Sequence, residues 1–334
     1  MRQLPCWAEG VRPPDSPDSS ASLFPAVADF LAMEGLSRGE IVRLLDAAAR
    51  LLPVAGGLAK APESLAGKLV ANIFFEDSTR TRCSFEVAAL RLGARVVNLT
   101  AGGSSASKGE SLLDTALNVE AMGVSAIVVR CAISGGAELV ARTCACPVIN
   151  AGDGRHEHPT QGLLDLATVR EAFGSIEGRT VAIVGDVANS RVARSALHGL
   201  VTCGARVRLC GPPTLVPASL ELIAAQAAPG QVRVMHDLDQ ALEAVDAVMM
   251  LRIQMERSAG IAISSDYHAA YGLTRTRIAR LGESAIVLHP GPMNRGVEID
   301  DAVADDPTRS RILRQVTWGV AVRMAVLEEV LIGR

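Results

Sequence analysis

The sequence predicts an α/β protein: two doubly wound parallel-sheet domains, joined by helices and closed by a C-terminal helix that returns to the first domain. Three observations predict it. The 334 residues suffice for two domains of ordinary size. Short β-branched apolar runs alternate with helix-period segments along most of the chain, the rhythm of βαβ units. Unusual polar clusters follow the carboxyl ends of the predicted strands, where doubly wound sheets bind ligands.

Pro5, Pro13, Pro14, Pro17 and Pro25 lie among serines and aspartates, so residues 1–35 are expected to be a flexible extension. Ser37 then reads as the N-cap of a helix with Ile41, Leu44, Leu45 and Ala48 on one face. Strands are predicted at Lys68–Phe75, Arg95–Leu99, Ala126–Val129 and Val148–Ile149, with helices beginning near Thr79, Ser111 and Gly136. Asn150–Gly154 reads as a turn, and a joining helix runs from about Thr160 to Phe173, ended by Gly174 and Gly178. A second series has strands at Thr180–Val184, Arg206–Cys210, Val232–Met235, Ala247–Leu251 and Ala285–Leu288. Its helices lie near Arg191–Val201, Ala218–Ala227 and Asp239–Ala244. A final helix covers Ile312–Leu331. The expected domains are 36–165 with the C-terminal helix 310–334, and 166–309.

A net charge of −3 supplies no basic face for nucleic acid or an anionic membrane, and aromatics at 3% leave few platforms for stacking bases. No apolar run approaches the roughly 20 residues that span a bilayer. The seven scattered cysteines fit reduced thiols, so the expected location is cytoplasmic.

Ser78-Thr79-Arg80-Thr81-Arg82 stands at a strand-to-helix turn. Backbone N–H groups and the helix dipole converge there, and Ser78, Thr79, Thr81 and Arg80 can cradle a phosphate without a glycine loop. The alternative makes Ser78 a plain N-cap and Arg80 a solvated residue. Gly102–Glu110 reads as a mobile polar loop whose Lys108 and Ser104 can swing onto an anion, or as a solvated linker. Arg130 ends a strand at the same rim, suited to an anion or to water. His158, followed by Pro159 at the start of the joining helix, can polarise a carbonyl oxygen. The spacing of His156 and His158 suits neither one helix face nor a metalloprotease motif, which disfavours metal binding. Gly185-Asp186-Val187-Ala188-Asn189-Ser190 lacks the glycines of a dinucleotide fingerprint. Arg191 and Arg252 can clamp a dicarboxylate, and His289-Pro290-Gly291-Pro292 offers backbone carbonyls to a ligand N–H.

Together with Ser107–Glu110, His158–Gln161 and Arg252–Arg257, these segments resemble the aspartate carbamoyltransferase family in order, from about residue 36 to the C-terminus. The resemblance implies transfer of a carbamoyl group from carbamoyl phosphate to L-aspartate in pyrimidine synthesis, with no metal or organic cofactor. It implies that Ser78, Thr79, Arg80 and Thr81 hold the phosphate, and that Thr81, Arg130 and His158 polarise the carbonyl. Gln161 and the Pro290-Gly291-Pro292 segment would hold the carbamoyl amide, and Arg191, Arg252 and Gln254 the aspartate carboxylates. Ser104 and Lys108 would enter from a neighbouring subunit of a homotrimer, Lys108 as both a catalytic and an aspartate-binding group. Relatives with N-terminal tails also suggest regulatory or dihydroorotase-like partner subunits. Asp77 stands where relatives often carry proline, and Gly291 where some carry leucine, with little loss expected at the latter. An ornithine carbamoyltransferase is the enzymatic rival, disfavoured by Pro290 and the Arg252-Ile253-Gln254 segment. A non-catalytic structural homologue is the other alternative.

Overall fold

A computed structural model describes residues 29–76, 78–100, 110–223, 227–253 and 266–333. Two parallel sheets organise them. The first contains β1 (Leu69–Phe74), β2 (Arg95–Thr100), β3 (Ala126–Cys131) and β4 (Val148–Asp153), in the order β2-β1-β3-β4. The second contains β5 (Thr180–Val184), β6 (Arg206–Cys210), β7 (Val232–Met235), β8 (Ala247–Met250) and β9 (Ile286–Leu288), in the order β7-β6-β5-β8-β9. In both, the chain adds strands first to one side of the opening strand and then to the other. The switch of direction falls beside β1 and β5, so the segments after β1, β3, β4, β5, β8 and β9 meet at carboxyl edges.

The flanking helices are α1 (Arg38–Ala55), α2 (Thr79–Arg91), α3 (Leu112–Ala121), α4 (Gly136–Thr143), α5 (Pro159–Phe173), α6 (Arg191–Thr202), four short helices α7 (Leu238–Ala241), α8 (Tyr267–Tyr271), α9 (Arg275–Ile278) and α10 (Asp301–Ala304), and the long α11 (Ile312–Ile332). Ser37 caps α1 in a reciprocal box: its hydroxyl accepts from Glu40 N–H at 3.2 Å, and Ser37 N–H donates to the Glu40 carboxylate at 2.8 Å. Ile41, Leu44, Leu45 and Ala48 are buried as the helical spacing predicts. Helix α5 is buried from Pro159 to Val169, because it lies between the two halves rather than on a surface.

The final helix does return to the first half. Trp318, Ala321, Val322 and Ala325 share one core with Ile41 and Leu45 of α1 and Phe85 of α2, and that core continues through α5 and α6 to Ile183 and Leu209 of the second sheet. Such continuity makes the sheets two walls of one body. No helix among the described residues is long and apolar enough to cross a membrane.

Several expectations need correction. The extension ends earlier than residue 35: Phe30 N–H donates to Val148 O and Phe30 O accepts from Asn150 N–H, both at 2.9 Å, while Met33 is fully buried. Residues 29–35 therefore add a short edge to β4, and residues 1–28 lie outside the described part. Asn150–Asp153 is not a turn but the end of β4. Its polar side chains read as turn formers, yet Asn150 Nδ2 donates inward to Leu31 O and the Asp153 carboxylate, each at 2.9 Å. Ala218–Leu222 forms a 3-10 turn instead of an α-helix opening there, and α7 is a single turn.

Candidate active site

The carboxyl edges of the two sheets face each other across a cleft of about 890 Å³. Among its described lining residues are Ser78, Thr79, Arg80, Thr81, Arg130, His158, Gln161, Arg191, Arg252, Pro290, Gly291 and Pro292. Topology thus brings together side chains that are up to 214 positions apart in sequence, Ser78 to Pro292. Ser104, Lys108, Gln254 and Asp77 lie outside the described residues.

The cradle forms at the start of α2. Ser78 occupies the N-cap position without a side-chain capping bond, so its hydroxyl is not committed to the helix. Arg80 lies against Gly291, where a Cβ would sit 3.0 Å from the guanidinium. Gly291 also has φ +62°, so the glycine serves conformation and space together, in keeping with the small loss expected of glycine where some relatives carry leucine. Burial, then the neighbouring Arg252 guanidinium, lowers the Arg80 pKa.

Glu76 organises two other arginines. Its Oε2 accepts from Arg191 Nη1 at 2.8 Å and lies 3.7 Å from Arg130 Nε. Arg191 Nη1 also donates to Gly154 O at 3.2 Å, and Arg130 Nη1 to Ala151 O at 3.3 Å. Gly152, with φ +118°, makes this possible, since a Cβ there would meet Arg191 Nε at 3.0 Å. Glu76 is the single carboxylate among the described lining residues, against the guanidiniums of Arg80, Arg130, Arg191, Arg252 and Arg323. Such a cleft selects anions.

His158 stands between them. Its backbone N–H donates to Ser195 Oγ at 2.8 Å, and Ser195 Oγ donates to Glu157 Oε2 at 2.7 Å. Glu157, fully buried, also accepts from Met33 N–H at 2.8 Å and Glu34 N–H at 3.0 Å, which ties the docked N-terminal segment to the histidine's backbone. Burial, then the Arg130, Arg323 and Arg191 charges, holds the imidazole well below its ordinary range. It is neutral near pH 7 and can offer one N–H to an oxygen without adding a charge.

The loop after β9 is fixed by its own histidine. Gly291 N–H donates to His289 Nδ1 at 2.8 Å, which leaves Nε2–H to donate to Glu298 Oε1 at 3.2 Å. Asn294 then donates to Ile253 O at 2.8 Å, linking this loop to the segment after β8 that carries Arg252.

Sequence reasoning missed the supporting groups Glu76, Glu157, Asp165, Gln315 and Arg323. Glu76 and Glu157 adjoin recognised motifs and could have been suspected there. Asp165 and Arg323 sit mid-helix and Gln315 near the start of α11, with no local signal. Burial pushes the Asp165 carboxyl up to about 7, against the amides of Gln315 and Gln161 and the Arg323 charge, which pull it down. The folded-state value exceeds the ordinary 3.8, so this contribution to stability is complete below pH 3.8 and is lost as pH rises through about 7. Urea unfolding at pH 5 and pH 8 is expected to show this decline in the parent and a flatter profile in Asp165→Asn.

Comparison with known proteins supports the geometry. Residues 28–171 match the family model described as aspartate/ornithine carbamoyltransferase, carbamoyl-P binding domain, and residues 177–330 match the Asp/Orn binding domain of the same family. The aspartate carbamoyltransferase catalytic subunit of Myxococcus xanthus is 54% identical over 301 residues, covering 90% of this chain and 98% of that one. The aspartate transcarbamoylase of Trypanosoma cruzi, solved with carbamoyl aspartate and phosphate, superposes with a TM-score of 0.81 at 32% identity, covering 90% of this chain and 95% of that one. The ornithine carbamoyltransferase of Pyrococcus furiosus superposes equally well, TM-score 0.81 at 28% identity, over 92% of this chain and 98% of that one.

Proposed function

The chain belongs to the aspartate/ornithine carbamoyltransferase family, and on that premise we propose that it transfers the carbamoyl group of carbamoyl phosphate to the amine of L-aspartate, giving N-carbamoyl-L-aspartate and phosphate in pyrimidine synthesis. The observation that carries the choice of aspartate is the charge of the cleft: five guanidiniums and one carboxylate among the described lining residues. A phosphate dianion beside a dicarboxylate needs that excess of cations, whereas ornithine would bring a further cation into it. The relatives of about 50% identity named for aspartate favour the same choice.

In this reading Ser78, Thr79, Arg80 and Thr81 hold the phosphate, with Ser104 and Lys108 joining from a neighbouring subunit. Thr81, Arg130 and the neutral His158 meet the carbonyl oxygen. The uncharged aspartate amine attacks the carbamoyl carbon, a C–N bond forms, and negative charge gathers on that oxygen. The C–O bond to phosphate then breaks, and the departing phosphate accepts the amine proton. Gln161 and the Pro290-Gly291-Pro292 backbone hold the carbamoyl amide, while Arg191, Arg252, Gln254 and Lys108 hold the aspartate carboxylates. Residues 29–165 with 310–333 form the carbamoyl-phosphate domain and 166–309 the aspartate domain. The active unit is a cytoplasmic homotrimer with shared sites, open to regulatory or dihydroorotase-like partner subunits.

Phosphate release from carbamoyl phosphate by the purified chain tests the reaction, with L-aspartate and L-ornithine in parallel. Release driven by aspartate is expected; release driven by ornithine, or by neither, overturns the reading. For the shared site, Lys108→Ala and His158→Ala are each expected to be crippled, and mixing them under conditions of subunit exchange to restore activity above that of either alone. No recovery despite demonstrated exchange would refute sharing.

A further inference from the structure

Behind the cleft, four polar groups form a relay with a fixed direction. The His289 backbone N–H donates to Gln315 Oε1 at 2.9 Å, and Gln315 Nε2 donates to Asp165 Oδ1 at 2.7 Å. Gln161 Nε2 donates to the same oxygen at 3.0 Å. A backbone N–H can only donate and a carboxylate oxygen without its proton can only accept, so both amide orientations are settled by chemistry. If either amide were reversed, its oxygen would face Asp165 Oδ1 in a dry interior, since Asp165 is 1% exposed. With both nitrogens directed at Asp165, the Gln161 oxygen remains for the cleft that this residue lines.

We infer that Asp165 is the positioning residue that makes the site recognise a carbamoyl amide: it accepts from both glutamines, so that Gln161 presents an oxygen to the substrate N–H and Gln315 holds the His289–Pro290–Gly291 backbone. This rests on the proposed carbamoyl-phosphate chemistry and adds to it a source of substrate selectivity at a residue absent from the cleft lining. The relay requires an acceptor at Oδ1, not a charge, and protonation at Oδ2 leaves it intact. Asparagine should therefore serve.

Acetyl phosphate replaces the substrate NH₂ by methyl and is the probe, with carbamoyl phosphate binding compared against it. In the parent, carbamoyl phosphate should bind the more tightly. In Asp165→Leu that preference is expected to fall about tenfold or more, because a site built to bond an N–H loses its discrimination when the acceptor turns away. Inorganic phosphate affinity should change by less than about threefold, and Asp165→Asn should keep the parental preference. If Asp165→Leu does not fold, Asp165→Ser, whose oxygen is a carbon shorter, gives the same reading. An unchanged preference in the folded Leu or Ser variant, or an Asn variant that loses it, overturns the inference while leaving the carbamoyl-transfer reading standing. A parent that does not prefer carbamoyl phosphate overturns both.

Discussion

Replacing His158 by alanine is expected to lower kcat by about 100- to 1,000-fold, the usual consequence of deleting one pre-oriented donor to a developing oxyanion. KM for carbamoyl phosphate should move far less, since the ground-state carbonyl asks little of that donor. The size of the effect follows from where the ring sits. His158 is 4% exposed, and its backbone is locked through Ser195 to the buried Glu157, so little reorganisation precedes the reaction. Its pKa bears on the pH profile as well. With the folded value well below 6.5, the imidazole contributes stability that is present above pH 6.5 and is lost as the pH falls toward the lowered value. An acid limb of kcat centred near 6.5 would show that His158 titrates normally and would remove the argument for a neutral donor. His158→Ala should lose less of its own stability than the parent does on mild acidification, measured by denaturant melts across that range.

Much of this arrangement was legible before any coordinates. Alternation of apolar runs with helix-period segments located all nine described strands: most are buried on both faces and so continuously apolar, while the half-exposed edge strands β2 and β7 were marked by their β-branched residues. Motif residues could be placed at strand ends for the same reason, and a doubly wound sheet sends its carboxyl ends to one edge. Misreadings came where polar residues serve the interior. Asn150 and Asp153 look like turn formers, but they satisfy each other and the backbone of a segment over 100 positions away, a contact that no local window contains. The tail boundary failed likewise: Phe30 and Met33 carry no periodicity over so short a stretch, and their backbone N–H groups find partners in β4 and Glu157, more than 100 positions away. Asp165 and Gln315 belong to helices α5 and α11 and meet across 150 positions. Sequence pattern reads what repeats along the chain; the relay behind Gln161 depends on which helix returns to which.

Arg80→Ala should show function and stability pulling in opposite directions. Among the described residues no carboxylate pairs with Arg80, and Arg252 is close enough to lower its pKa. Two guanidiniums repelling each other in a partly dry cleft weaken the fold, whereas a phosphate dianion held by Arg80 offsets that repulsion with a charge-assisted contact. Removing Arg80 is expected to cut kcat/KM for carbamoyl phosphate by roughly 30- to 4,000-fold, the range for truncating one member of a desolvated, hydrogen-bonded charge pair. The same variant, with no anion added, should melt at or above the parental temperature. Inorganic phosphate should separate the two proteins further. Saturating phosphate stabilises the parent through its preferential binding to the folded form, by about 2.7 kcal/mol at one hundred times Kd, while the variant gains little at the same concentration. A variant that melts well below the parent and still responds fully to phosphate would make Arg80 a structural residue and would leave the cradle to Ser78, Thr79 and Thr81 alone.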